Sequence, residues 1–271
     1  MVAQDGFRAG EFTASAACAG EGIITYTPVA RIASMLVLPG GEAPTDRGYL
    51  DTLGQGPSRQ RRTVASAAMN SGFVSRIYEG PWRQGALPLL AAGMTMRSEI
   101  DKAVRDLRVG GSQTVLDVAC GPGNFSGRFA DLLGDDGLVV GIDMSAAMLE
   151  QAVDHNAGPR VGYVRGDAAL LPFADAEFDA VCCYAALYLV DEPERVLAEM
   201  VRVLAPGGRV CVMTSCARLP AAVQRAWGGR RVGGVRLFGR DEITGLLHDA
   251  GCTRITQQVR GFAQFVQAYG G

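Results

Sequence analysis

The stretch Val115-Leu-Asp-Val-Ala-Cys-Gly-Pro-Gly-Asn124 constrains this chain more than any other. An apolar run carries one acid, Asp117, and ends in the turn Gly121-Pro122-Gly123. The next residues, Phe125 to Leu133, read as a helix closed by Gly134. A strand, a glycine turn and a helix start bring backbone N–H groups close to a nucleotide-like ligand. A second acid, Asp143, ends the apolar run Leu138-Val-Val-Gly-Ile142. It stands twenty positions after Gly123, where a ribose is usually gripped.

Two ligands compete for this motif. A dinucleotide fingerprint needs a third glycine or alanine so that the helix packs closely and a pyrophosphate sits on its N-terminus. Ser126 occupies that position. Asp117 also lies inside the strand, where its charge would repel a pyrophosphate. It suits a ligand with a cationic amino group and no phosphate, and S-adenosylmethionine is such a ligand.

The residues that follow strengthen the second reading. Gly141-Ile-Asp143-Met-Ser ends the second strand, and Gly166-Asp167-Ala168 with Leu171-Pro-Phe follows the third. Phe178-Asp179-Ala-Val181 opens the fourth, and Leu204-Ala-Pro206-Gly207-Gly208 precedes the fifth. In this order, over residues 115–216, the motifs resemble the class I S-adenosylmethionine-dependent methyltransferases. Ile77-Tyr-Glu-Gly-Pro-Trp-Arg83 resembles the segment before the first motif in the ubiquinone- and menaquinone-type C-methyltransferases.

The resemblance implies specific roles. Asp143 accepts hydrogen bonds from both ribose hydroxyls, as a carboxylate with two acceptor oxygens suits a vicinal diol. Met144 and Met148 pack against adenine, although Met148 reads equally well as core. Asp167 accepts from the adenine amino group while the Ala168 N–H donates to the ring, with Gly166 preceding them. Asp117 meets the ligand amine, directly or through water, and also orders the loop. Ala119, Gly121, Gly123, Asn124 and Cys183 complete the expected cofactor contacts. Tyr78 borders the methionine end, or is a helix-packing tyrosine. Asp179 and Phe178 read as scaffold, and Pro206-Gly207-Gly208 as a turn.

After the fourth strand comes Cys182-Cys-Tyr-Ala-Ala-Leu-Tyr-Leu-Val-Asp191, a loop that faces the methyl group in the family. Tyr184 and Tyr188 are the candidate catalytic side chains there, weighed against plain aromatic packing. Phenols with a pKa near 10 are poor bases at neutral pH. They suit orientation of an acceptor, or stabilisation of a developing oxyanion. His155 and His248 read as peripheral. The segment 217–239 holds Trp227, Arg230, Arg231, Arg236 and Phe238. An acceptor pocket there would suit an aromatic or carboxylate-bearing molecule; a solvated loop is the default.

Alternating strands and helices from residue 115 predict a Rossmann-like α/β fold, a largely parallel sheet with helices on both faces. The resemblance gives seven strands in the order 3-2-1-4-5-7-6, the last antiparallel. Strands are expected near 115–119, 138–142, 161–165, 179–184 and 209–215, with an edge pair turning near Gly261. Residues 63–109 read as a helical cap, 115–216 as the cofactor-binding core, and 217–271 as the acceptor-side loop, helix and final strands. Residues 1–62 read as an N-terminal extension with no clear periodicity.

Of the 271 residues 48% are apolar, enough for a large core. A net charge of −2 leaves no basic footprint for nucleic acid. Seven cysteines without a C-x-x-C pair, and only two histidines, predict reduced thiols, a cytoplasmic protein and no metal site. Neither a signal peptide nor a membrane-spanning run is expected. The leading expectation is methyl transfer from S-adenosylmethionine to carbon or oxygen of a small molecule, quinone-like, polyketide or similar, with S-adenosylhomocysteine as product. The alternatives are a non-methylating binder of the cofactor, such as a cyclase or isomerase, and then an RNA methyltransferase. A homodimer is left open.

Overall fold

The computed structural model describes residues 27–37, 47–53, 94–217, 231–232 and 235–271. Tyr78, Trp82, Trp227, Arg230 and most of the expected helical cap lie outside them.

The centre is a parallel sheet of four strands: β2 (Thr114–Val118), β3 (Leu138–Asp143), β4 (Val161–Arg165) and β5 (Phe178–Tyr184). Leu138, Val139, Val140 and Ile142 are all essentially inaccessible. Such continuous apolar runs belong to strands covered on both faces. The fifth strand, β6 (Leu204–Ser215), pairs in parallel with β5. It starts earlier than the sequence suggests, because Leu204 already pairs with Phe178. The expected turn Pro206-Gly207-Gly208 is a register shift inside this ladder, with Gly207 at φ 74°.

Helices connect the strands where capping residues allow. α3 (Asn124–Ala130) follows β2, α4 (Ala146–Asn156) follows β3, and α5 (Pro193–Arg202) precedes β6. Ser145 caps α4 by accepting from the Met148 N–H, and Pro193 opens α5. Before them, α2 (Met96–Leu107) is capped by Thr95 and buries Glu99, Ala103 and Leu107. Lys102 and Asp106, one turn apart on its surface, pair at 2.7 Å. After β6 come the two-residue strands β7 (Arg231–Val232) and β8 (Val235–Arg236), then α6 (Glu242–Asp249).

The chain ends in the hairpin β9 (Thr253–Arg260) and β10 (Ala263–Tyr269), turning at Gly261 with φ 56°. β10 inserts between β6 and β9 and runs antiparallel to both. The seven strands therefore follow the expected order. An eighth, β1 (Leu50–Asp51), pairs in parallel with β4 at the outer edge. α1 (Pro28–Met35) sets Ile32 over Gly162 of β4, so closely that a Cβ at Gly162 would lie 2.6 Å from Ile32 Cδ1. The segment with the least readable pattern thus supplies a helix and a strand to the sheet.

Candidate functional site

The candidate residues gather at the carboxyl ends of β2, β3 and β4, where an open α/β sheet receives its ligands. Ala119, Gly121 and Asn124 after β2, Asp143 and Met144 at β3, and Asp167 and Ala168 after β4 all remain partly exposed. Asp117, Gly123, Met148, Gly166, Cys183, Tyr184 and Tyr188 are buried.

The loop after β2 is tightly specified. Ala119, Gly121 and Gly123 all adopt positive φ, at 55°, 56° and 79°. A Cβ on Gly121 would meet nothing within 4 Å, so this glycine borders open space. A Cβ on Gly123 would collide with the Tyr163 hydroxyl and lie 3.1 Å from Ala152 Cβ. Tyr163 reaches under the loop from β4 and donates to the Asn156 carbonyl at 2.9 Å. The Asn156 side chain donates to the Pro122 carbonyl at 2.8 Å. Tyr163 and Asn156 brace the loop from behind, and motif reading missed both. Gly141, beneath the same ring, is the sequence signal for them, since a Cβ there would lie 2.6 Å from Tyr163 Cδ1.

Asp143 binds the loop to β3. Its Oδ2 accepts from the Gly121 N–H at 2.9 Å and its Oδ1 from the Ser145 N–H at 2.8 Å. Burial pushes its carboxyl above the ordinary value, and the N–H groups of Ser145, Gly121 and Met144 oppose that shift. A carboxylate has about four acceptor sites, so these bonds leave capacity for a ligand diol. Asp167 Oδ1 accepts from the Ala169 N–H at 2.9 Å, a turn-forming contact compatible with a second partner.

Asp117 is 2% exposed and sits between Gly141 of β3 and Cys182 of β5 in the sheet register. Ser126 Oγ donates to its Oδ2 at 2.6 Å and Cys182 Sγ to its Oδ1 at 3.6 Å. Burial pushes the carboxyl up to about 6, against the lowering effect of these donors; Asp143 adds to the rise. Among the described residues, no cation is among the groups that shift it. A buried acid with no described counter-charge, beside a glycine loop open to a ligand, fits a group that brings its own positive charge. The acid, the loop and Asp143 together fit the amino-acid tail and nucleoside of S-adenosylmethionine.

Tyr184 packs its ring on Phe125 with centroids 4.9 Å apart, and burial drives its phenol well above the ordinary value. It holds its proton at neutral pH and is no base. Tyr188 is buried in a short 3-10 turn, Leu187–Leu189. Burial pushes the Cys183 thiol up to about 12. Asp179 accepts from the Thr114 N–H at 2.8 Å, a scaffold contact. His155 and His248 are exposed. Arg236 stacks on the buried Phe238 and pairs with Glu194 at 2.9 Å and Glu242 at 2.7 Å. That commits it to holding β8 against α5 and α6. Among the described residues no helix is long and apolar enough to cross a membrane, and the six described cysteines are buried and free.

Comparison with known proteins agrees with this geometry. Residues 115–208 match the model of a methyltransferase domain. The ubiquinone/menaquinone biosynthesis C-methyltransferase of Hahella chejuensis is 40% identical over 121 residues, 43% of this chain and 47% of that protein. The match thus spans about half the length of that relative. The Haemonchus contortus phosphoethanolamine N-methyltransferase 2, solved with phosphomonomethylethanolamine and S-adenosylhomocysteine, aligns with a TM-score of 0.60 at 15% identity, over 77% of this chain and 60% of that one. The [4+2]-cyclase SpnF aligns with a TM-score of 0.57 at 20% identity, over 74% and 96%. At such identities the two structures speak for the fold alone. From sequence motifs, fold and site together, residues 115–208 form a methyltransferase domain of the class I S-adenosylmethionine-dependent type.

Proposed function

We propose that the protein transfers the methyl group of S-adenosylmethionine to carbon or oxygen of a small-molecule acceptor. The observation that carries this reading is Asp117, a buried acid with no cation among the described groups that shift it, next to the open glycine loop and Asp143. The cofactor supplies an electrophilic methyl on a sulfonium. The chain supplies binding and alignment: Asp117 faces the ammonium, Asp143 holds the ribose, and Asp167 with Ala168 reads the adenine. Met144 and Met148 line the base, and Ala119, Gly123, Asn124, Gly166 and Cys183 shape the walls.

Orientation alone contributes about 7–11 kcal/mol in such displacements. A general base is required only for an acceptor that holds its proton tightly. Tyr184 and Tyr188 act through their hydroxyls as donors that orient the acceptor; the Tyr184 phenol, driven up by burial, does not abstract protons. This favours acceptors that are already acidic, such as a phenol or an activated ring carbon. The ubiquinone/menaquinone-type relatives point to a quinone-like ring.

A second reading is a non-methylating use of the same site. The buried Tyr184 and Tyr188, with no strong base described beside them, favour it. Incubation with labelled S-adenosylmethionine and a panel of phenolic, quinol and polyketide acceptors separates the two. Methyl transfer predicts S-adenosylhomocysteine formation that depends on acceptor. Cofactor binding without turnover on any acceptor would support the second reading. With an active acceptor in hand, Tyr184→Phe should lower kcat about tenfold or more while cofactor affinity stays constant. Unchanged kcat would remove Tyr184 from the chemistry.

A further inference from the structure

Ser126 stands where a dinucleotide-binding loop carries glycine or alanine, a position that needs a small residue for close helix–strand packing. It is fully buried in α3, and its hydroxyl points down onto β2 rather than out to solvent. The 2.6 Å Oγ–Oδ2 separation lies in the range of a charge-assisted bond, below the usual neutral hydroxyl distance. Cys182 approaches the other oxygen from β5. The Tyr163 phenol, pushed up by burial and therefore protonated, adjoins Ser126 from β4. The Tyr163 proton goes to the Asn156 carbonyl, and the Ser126 hydroxyl donates to Asp117.

We propose that Ser126 is a positioning residue for the donor: its hydroxyl fixes the orientation of the Asp117 carboxylate and favours its ionised form, so that the acid is set to receive the ligand's ammonium group. This inference rests on the cofactor reading above. It makes the affinity for the amino-acid tail proton-linked. The hydroxyl donates to the charged form, so removing it raises the carboxyl from its midpoint near 6. The protonated acid offers an ammonium no counter-charge, and affinity then falls.

Among the described residues, the other titratable groups facing Asp117 are Asp143 from β3, Cys120 from the loop, Cys182 and Cys183 from β5, and Tyr163 from β4. Burial pushes the three thiols and the phenol up, so they stay neutral at the pH values concerned. Asp143 is the remaining group that titrates. Its effect is common to any ligand with a ribose, so a nucleoside without the amino-acid tail isolates the contribution of Asp117.

The test is calorimetric binding of S-adenosylhomocysteine and of 5′-methylthioadenosine, which lacks the amino-acid tail, between about pH 5 and pH 8.5. Wild type, Ser126→Ala and Cys182→Ala are compared. For wild type, S-adenosylhomocysteine affinity relative to the tail-less nucleoside should fall as pH drops through about 6. Ser126→Ala should move that midpoint up by about one unit and weaken S-adenosylhomocysteine about twofold at pH 7, and more at pH 6, with recovery toward pH 8.5. Binding of 5′-methylthioadenosine should not change. Cys182→Ala should shift the midpoint the same way by less. An unmoved midpoint in Ser126→Ala, or equal weakening of both ligands, would overturn the proposal while leaving the cofactor reading intact. If wild type bound neither ligand, the cofactor reading would fail and this inference with it.

Discussion

Asp143→Ala is expected to weaken S-adenosylhomocysteine binding about 10- to 150-fold, or about 1.5–3 kcal/mol. The expected loss has two physical parts. The ribose loses charge-assisted acceptors, and the Gly121 N–H loses the carboxylate that fixes it to β3 at 2.9 Å. Asp143→Asn separates them, because its amide oxygen can still accept from one N–H while the charge is gone. The asparagine variant should recover part of the affinity and most of the loop order. Affinity of Asp143→Ala within twofold of wild type, by calorimetry, would remove the ribose assignment.

Gly123→Ala should destabilise the fold by about 2–4 kcal/mol. A left-handed φ of 79° costs an alanine roughly 1–2 kcal/mol. The added methyl also meets the Tyr163 hydroxyl, and overpacking of this kind costs about 1–3 kcal/mol. Gly121→Ala is the matched control. It has a similar φ, 56°, but open space around its Cβ, so it should cost only the backbone strain. Urea unfolding of the three proteins measures the difference. Equal midpoints for the two variants would mean that Tyr163 does not buttress the loop as described.

The parallel core was legible in the sequence because its physics is local. Apolar runs at 115–118, with one acid inside it, and at 138–142, ending in one, leave few alternatives to buried parallel strands. The final hairpin was equally readable from alternating residues around Gly261. Asp143 and the glycine loop stood out because positive φ and a strand-end acid leave direct traces in residue type. Tyr163 and Asn156 did not, since a tyrosine within a β-strand and an asparagine at a helix end are ordinary residues. Their meaning arises only when β4 and α4 bring them beneath Gly123. Ser126 was visible as a departure from the dinucleotide pattern, but its bond to Asp117 depends on how α3 folds back over β2. β1 was hidden for a different reason. Two residues carry no periodicity, and Leu50 and Asp51 become a strand only through the exposed edge of β4. Arg236 was read as lining an acceptor pocket or a solvated loop; its two acidic partners come from α5 and α6, which the linear spacing does not bring together.

The central claim is that the acids at the ends of β2 and β3 form a site for S-adenosylmethionine rather than for a dinucleotide. Calorimetric titration of the purified protein with S-adenosylmethionine, S-adenosylhomocysteine, NAD and NADP tests it most directly. The account predicts saturable one-to-one binding of the first two and none of the dinucleotides. Binding of NAD or NADP, with no heat from either sulfur nucleoside, would contradict it.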